Sequence, residues 1–209
     1  MTGVLIADDH ALFRAGVRLL LEREGFEVLG EAADGPATVR LAAELSPDVI
    51  LLDLSMPGLT GIEAAQLIRS AQSKTKIIML TMYNDEAFML EALHAGMSGF
   101  VLKARSAIEL VFAIREAIRG AFYLGPDIPK TVIDALTNNT SLPSQSLSTR
   151  EKQVVGLVSM GVSTKQIGVQ LGLSPKTIES HRSRIMQKLG FTQTSQLVRY
   201  AVRLQMIRA

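Results

Sequence analysis

The chain has 209 residues, 47% hydrophobic and 20% charged, the composition of ordinary globular domains and enough sequence for one large domain or two modest ones. It contains no cysteine, which excludes disulfides, thiol catalysis and Cys-based zinc sites. Its charge is uneven: 11 Lys and Arg face 16 Asp and Glu over 1–124, but 11 face 4 over 125–209.

The N-terminus, MTGVLIADDH, meets two aspartates after a short apolar run, too early for a signal peptide, and no stretch approaches a membrane span. A cytoplasmic protein without membrane contact is expected. From residue 3 to about 119, short apolar runs alternate with helical patterns, which predicts a parallel sheet covered on both faces. The strands read Val4–Ala7, Val28–Ala32, Val49–Leu52, Ile77–Leu80 and Gly99–Leu102, a five-stranded doubly wound α/β domain. Leu12, Gly16, Leu19 and Leu20, and later Ile108, Val111, Phe112, Arg115 and Ile118, have helical spacing and are expected to cover the sheet. Residues 121–146 are rich in Pro, Asn, Ser and Thr and read as a linker with one short helix over 128–136.

Four helices are then predicted, near 149–159, 163–171, 174–188 and 193–205, forming a small all-α domain over 147–209. Ser148, Ser163, Ser174 and Thr192 fit their N-caps, Pro175 fits a first helical turn, and Gly161, Gly172 and Gly190 fit C-termini. The second and third helices meet at Gly172 with helix-turn-helix spacing. In the third, Ile178, Ile185 and Leu189 share an apolar stripe, and Lys176, Glu179, Ser180, Ser183, Arg184 and Gln187 lie opposite on a mainly cationic face suited to a major groove. Few aromatics accompany this basic half, so duplex DNA is the expected partner rather than single strands.

In the first domain, the strand ends carry polar groups: Asp8 and Asp9, Asp53, Thr81 and Lys103. The carboxyl ends of parallel strands line the ligand crevice, so these groups should converge. Three carboxylates at close range repel, and a divalent cation such as Mg²⁺ relieves that repulsion while keeping waters that a phosphate oxygen can displace. Thr81 and Lys103 add a hydrogen-bond donor and a positive charge, which makes Asp53 a phosphoryl acceptor. His10 and His94 have no second ligand at metal-binding spacing and read as surface or packing residues. An enzyme with an aspartyl nucleophile would need a second carboxylate two residues later as general acid, and position 55 is Ser. GxxxxGK[ST] and HExxH do not occur.

Asp8-Asp9, Asp53 followed by Met56-Pro57-Gly58, Thr81, and Lys103 three residues after Phe100 resemble the receiver domain of two-component response regulators over residues 1–120. "LSTRE" at 147–151, "TKQIGVQLGLSPKTIESH" at 164–181 and "KLG" at 188–190 resemble the DNA-binding domain of the NarL/FixJ (LuxR-type) family. The resemblance implies a transcription factor, not an enzyme, in which Asp53 takes a phosphoryl group from a sensor histidine kinase. It also implies that Asp9, Asp53 and the Ser55 carbonyl bind Mg²⁺, that Asp8 supports the ion through water, and that Thr81 and Phe100 switch on activation. Phosphorylation would loosen the receiver's hold on the DNA-binding domain and favour a homodimer on promoter DNA, with the fourth helix contributing to dimerisation and RNA polymerase as a further partner. Glu179, Ser180 and Ser183 fall where members contact bases, and Lys176, Thr177, Arg184 and Lys188 where they contact phosphates. Met82 and Tyr83 follow Thr81 and are expected to overhang the path of a hydrolytic water.

Overall fold

A computed structural model describes residues 1–71, 74–82, 86–125, 129–137, 147–204 and 206–207. The chain divides into two compact units, Met1–Leu142 and Pro143–Ala209. The first alternates β1 (Gly3–Ala7), α1 (Ala11–Arg23), β2 (Glu27–Ala32), α2 (Gly35–Leu45), β3 (Val49–Asp53), α3 (Gly61–Ala71), β4 (Lys76–Thr81), α4 (Glu86–His94), β5 (Gly99–Leu102) and α5 (Ala107–Ile118). It continues with β6 (Tyr123–Leu124) and α6 (Lys130–Thr137). All strand pairs are parallel, in the order β2-β1-β3-β4-β5-β6. β1, β3 and most of β4 are fully buried, which is why their sequences are unbroken apolar runs rather than alternations.

The sheet has six strands where the sequence pattern predicts five. The sixth lies in the segment read as linker: Tyr123 pairs with Gly99 and Leu124 with Phe100, and α6 buries Val132 completely. Two residues are too short for period-2 alternation to mark them, so only the waiting edge of β5 makes them a strand. The linker helix begins at Lys130 rather than 128; residues 126–128 and 138–146 of the expected linker lie outside the described residues.

The helix stripes are also corrected. α1 buries Val17 and Leu21 against Val4, Ile6, Val49 and Leu51, and α5 buries Leu110, Ala113, Ile114 and Ala117 on the same sheet face. Leu12, Leu19, Ile108 and Phe112, expected to cover the sheet, are instead 89%, 68%, 81% and 53% exposed. Each helix carries two apolar stripes, and periodicity alone does not say which one the sheet takes.

The second unit comprises α7 (Thr149–Ser159), α8 (Thr164–Leu171), α9 (Pro175–Lys188) and α10 (Thr194–Arg203). Ser148 and Ser163 close capping boxes with Glu151 and Gln166, and the Ser174 hydroxyl accepts from the Thr177 amide. The predicted cap Thr192 is displaced by one residue: Gln193 is the N-cap of α10, its amide donating to Gln196 Oε1 at 2.9 Å and its carbonyl accepting from the Gln196 amide at 3.0 Å. Gly161, Gly172 and Gly190 all follow helices with positive φ. Ile178, Ile185 and Leu189 are buried, as their spacing predicts.

Candidate phosphoacceptor site and DNA-binding helix

The chain reverses direction across the sheet between β1 and β3, and at that point a crevice opens at the carboxyl ends of the strands. β1 delivers Asp8 and Asp9, β3 ends on Asp53, β4 ends on Thr81, and Lys103 follows β5 directly. Beyond Asp53 the chain is pinned by hydrogen bonds from the Leu54 amide to the Leu80 carbonyl (3.1 Å) and from the Gly61 amide to the Leu54 carbonyl (2.8 Å). Gly61 is required for this closure, since a Cβ there would sit 2.1 Å from the Asp53 carbonyl oxygen.

The side chains meet as the strand-end reading predicts. The Lys103 ammonium lies 2.7 Å from Asp8 Oδ2 and 3.0 Å from Asp53 Oδ1, almost sealed from solvent, and 5.0 Å from the centre of the Phe13 ring. Asp8 is fully buried, Asp53 and Thr81 are each 4% exposed, and Asp9 is half-buried at the rim. The Lys103 amide donates to the Thr81 carbonyl at 2.8 Å, which ties the ends of β4 and β5 together. Burial pushes the Asp53 carboxyl up to about 6 and Asp8 adds to the rise, while Lys103 opposes both. Phe100 is 2% exposed and packs on Phe122, ring centres 5.7 Å apart. Met82 is 62% exposed beside Thr81, and Tyr83 lies outside the described residues.

Ligand atoms of Asp8, Asp9, His10 and Asp53 all lie within 4.8 Å of one another. Three carboxylates against one ammonium leave the crevice net negative, and their hard oxygens fit a small divalent cation such as Mg²⁺. His10 is the residue that spacing alone did not mark. Its Nδ1 stands 2.6 Å from Asp9 Oδ1, and the signal was its adjacency to the Asp pair at a strand end. Arg14 also escapes a reading by spacing: it donates to the Asp8 carbonyl at 2.6 Å and to Glu31 at 3.1 Å, bracing the end of β1 against β2.

In the second unit the turn between α8 and α9 closes through a 2.8 Å hydrogen bond from the Leu173 amide to the Gly168 carbonyl. A Cβ on Gly168 would lie 2.7 Å from the Leu173 carbonyl oxygen, so the glycine lets the turn approach α8. α9 then presents Lys176, Glu179, Ser180, Ser183, Arg184 and Gln187 to solvent. Among the described residues Glu179 forms no ion pair with Arg182 or Arg184; Arg182 instead reaches Thr164 at 3.4 Å. Thr177 is half-buried and bonded to Ser174 at 2.8 Å. The ammonium of Lys188, which the resemblance places among the phosphate contacts, is 2.7 Å from Glu151 Oε2, a carboxylate 3% exposed that also caps α7.

Residues 4–115 match the response regulator receiver domain family, and residues 145–201 match the bacterial regulatory proteins of the luxR family. The chain belongs to the LuxR-type response regulators. It is 39% identical over 206 residues to the transcriptional regulatory protein LiaR of Bacillus subtilis, covering 97% of this chain and 98% of that one. It is 35% identical to the oxygen regulatory protein NreC of Staphylococcus carnosus, over 98% of each chain. Among solved structures, RcsB of Salmonella enterica serovar Typhimurium, bound to a promoter in the presence of a phosphomimetic beryllium fluoride, aligns with 30% identity and a TM-score of 0.67, over 95% of this response regulator and 97% of that chain. A LuxR-family response regulator from Aurantimonas aligns with 38% identity and a TM-score of 0.61, over 65% of this chain and 99% of that one. Among the described residues no helix is long and apolar enough to cross a membrane.

Proposed function

We propose that this response regulator is a phosphorylation-dependent transcription factor in which Asp53 accepts a phosphoryl group from a histidine of a sensor kinase. The observation that carries the reading is the meeting of Asp8, Asp9, Asp53 and Lys103 at adjoining strand ends, in a chain whose other unit exposes a basic recognition helix. An Asp53 oxygen bonds to phosphorus as the P–N bond to the kinase imidazole breaks, and the imidazole departs with its electron pair and takes up a proton. Lys103, already between Asp8 and Asp53, swings onto the incoming phosphoryl oxygens, and the Thr81 hydroxyl donates to them. Asp9 and Asp53 with the Ser55 carbonyl would hold Mg²⁺, with Asp8 supporting it through water; the ion supplies charge neutralisation at the phosphoryl oxygens. Movement of Thr81 toward the phosphoryl group frees space for Phe100 to change rotamer, and Phe100 touches both Phe122 and, through the sheet, Leu124.

The output is a homodimer on promoter DNA. The exposed stripes of α1 and α5 supply a self-complementary face: Leu12 and Ile108 project beside a cavity of about 320 Å³ lined by Phe13, Gly16, Leu20 and Leu110. A second copy can place its projecting side chains in that cavity and receive the first copy's in return, as an isologous contact requires. The outer side of α10 carries Thr194, Ser195, Arg199 and Val202 for the contact between DNA-binding units. On α9, Glu179, Ser180 and Ser183 would meet base edges, and Lys176, Thr177 and Arg184 phosphates. Lys188 contacts a phosphate in this reading while it anchors Glu151.

The test is incubation of the full chain with a small phosphodonor. One base-labile phosphoryl group should appear with Mg²⁺ and be lost with EDTA or in Asp53→Ala, and promoter retention in a mobility-shift assay should rise with it. Equal labelling of Asp53→Ala would refute the assignment.

A further inference from the structure

We propose that the His10 imidazole enters the coordination shell of the divalent cation and tilts the site from Mg²⁺ toward Mn²⁺ and similar first-row ions. The inference rests on the reading that Asp9 and Asp53 hold such an ion. His10 occupies the N-cap position of α1, yet its side chain makes no capping hydrogen bond, so the ring is not consumed by the helix. Its backbone is held in place, with the amide donating to Asp8 Oδ1 at 2.9 Å. The ring is 70% exposed and reaches inward, placing Nδ1 2.6 Å from Asp9 Oδ1 and 3.3 Å from Asp8 Oδ1.

The Nδ1–Asp9 Oδ1 distance is that of a direct ion pair, and it lies close to the spacing of two neighbouring ligands on one ion. Six donors about 2.1 Å from a small cation stand roughly 3.0 Å apart when adjacent and about 4.2 Å apart when opposite. The His10–Asp9 separation of 2.6 Å is a few tenths of an ångström below the adjacent value, Asp8 stays outside the shell and reaches the ion through water, and the cluster lies within 4.8 Å. An opening of a few tenths of an ångström between Nδ1 and Oδ1 admits the ion, and an exposed ring can turn by that much. Magnesium prefers oxygen and holds its waters, whereas imidazole favours manganese and later first-row ions, so one nitrogen donor shifts the preference.

The experiment uses the full chain with Mn²⁺ as the probe, observed by pulsed electron paramagnetic resonance. Bound Mn²⁺ should show a directly coordinated ¹⁴N coupling that converts to ¹⁵N when histidine alone is labelled, and His10→Gln should abolish it. His94 and His181 are the other two histidines, and His94→Gln and His181→Gln should each keep the signal. By titration, His10→Gln should weaken Mn²⁺ binding about tenfold and Mg²⁺ binding by less than about twofold. Mn²⁺ bound without nitrogen coupling overturns this inference alone, and so does an equal loss for both ions. Failure of Mn²⁺ to bind the parent chain overturns the cation reading as well. The labelled parent decides the matter even if the variant folds poorly.

Discussion

Asp53 is a carboxylate held almost out of water, and that has a cost that can be measured. Burial first, then Asp8, raises its folded pKa from 3.8 to about 6, so between those values the folded chain holds a proton that the unfolded chain has released. Stability from this residue is therefore full below about pH 4 and is lost as pH rises through about 6. In EDTA, the stability of Asp53→Asn relative to the parent should rise by about 2–3 kcal/mol between pH 4 and 7. Mg²⁺ should narrow the gap by stabilising the parent's ionised site; a pH-independent gap in urea titrations would contradict the burial argument. Glu179 is exposed on α9, where a carboxylate repels phosphates but can accept from the cytosine amino group. Glu179→Lys should tighten binding to random DNA, steepen its salt dependence by about one to two units of slope, and lower discrimination at one base pair per half-site by about 1–3 kcal/mol. Site selection from a random library by both proteins checks this, and identical preferred motifs would remove Glu179 from base readout.

Elements are joined here by small numbers of polar contacts whose loss should be visible. Burial would raise the Glu151 pKa, but hydrogen bonds from Lys188 and Ser148 outweigh it and hold the carboxyl below its ordinary value. This pair connects the start of α7 to the end of α9, so it sets the recognition helix against the rest of its unit. Lys188→Met should cost about 1–3 kcal/mol at neutral pH, because a nearly buried carboxylate loses its cation. A lowered folded pKa means stability is lost as pH falls through it, so the deficit should shrink in acid; thermal unfolding at pH 7 and pH 4 makes the comparison. At the other site, Gly61→Ala forces a methyl onto the Asp53 carbonyl. Strain of that kind should destabilise the receiver by more than about 2 kcal/mol and reduce phosphoryl uptake, both readable on one protein preparation.

Across the whole molecule, charge is divided between the two units, since the acidic receiver suits a cation and a phosphoryl group while the basic unit suits a polyanion. The two are coupled in the proposed mechanism by association, which makes the outward stripes of α1 and α5 testable. Ile108 is 81% exposed and takes no part in the contacts among Asp8, Asp9, Asp53 and Lys103, so Ile108→Asp should leave phosphoryl uptake and folding intact while keeping the phosphorylated chain monomeric in sedimentation. A phosphorylated variant that still dimerises would place the contact elsewhere.

The acidic pocket was legible because parallel strands end on one edge, so Asp8, Asp9, Asp53, Thr81 and Lys103 had to share a crevice once the strands were recognised. The helix-turn-helix was legible for a similarly local reason: serine caps, Gly172 and the Ile178–Ile185–Leu189 stripe are signals written within single helices and their turns. Three features were decided only by distant neighbours. β6 exists because the edge of β5 was free to pair; the sheet selected Val17 and Leu110 over Leu12 and Ile108 because geometry, not hydrophobicity, chose between two apolar stripes; and Lys188 turned to Glu151 because α7 brought a buried carboxylate within its reach. Periodicity encodes what a segment can bury or bond, whereas the partner that accepts it is set by contacts far apart in the chain.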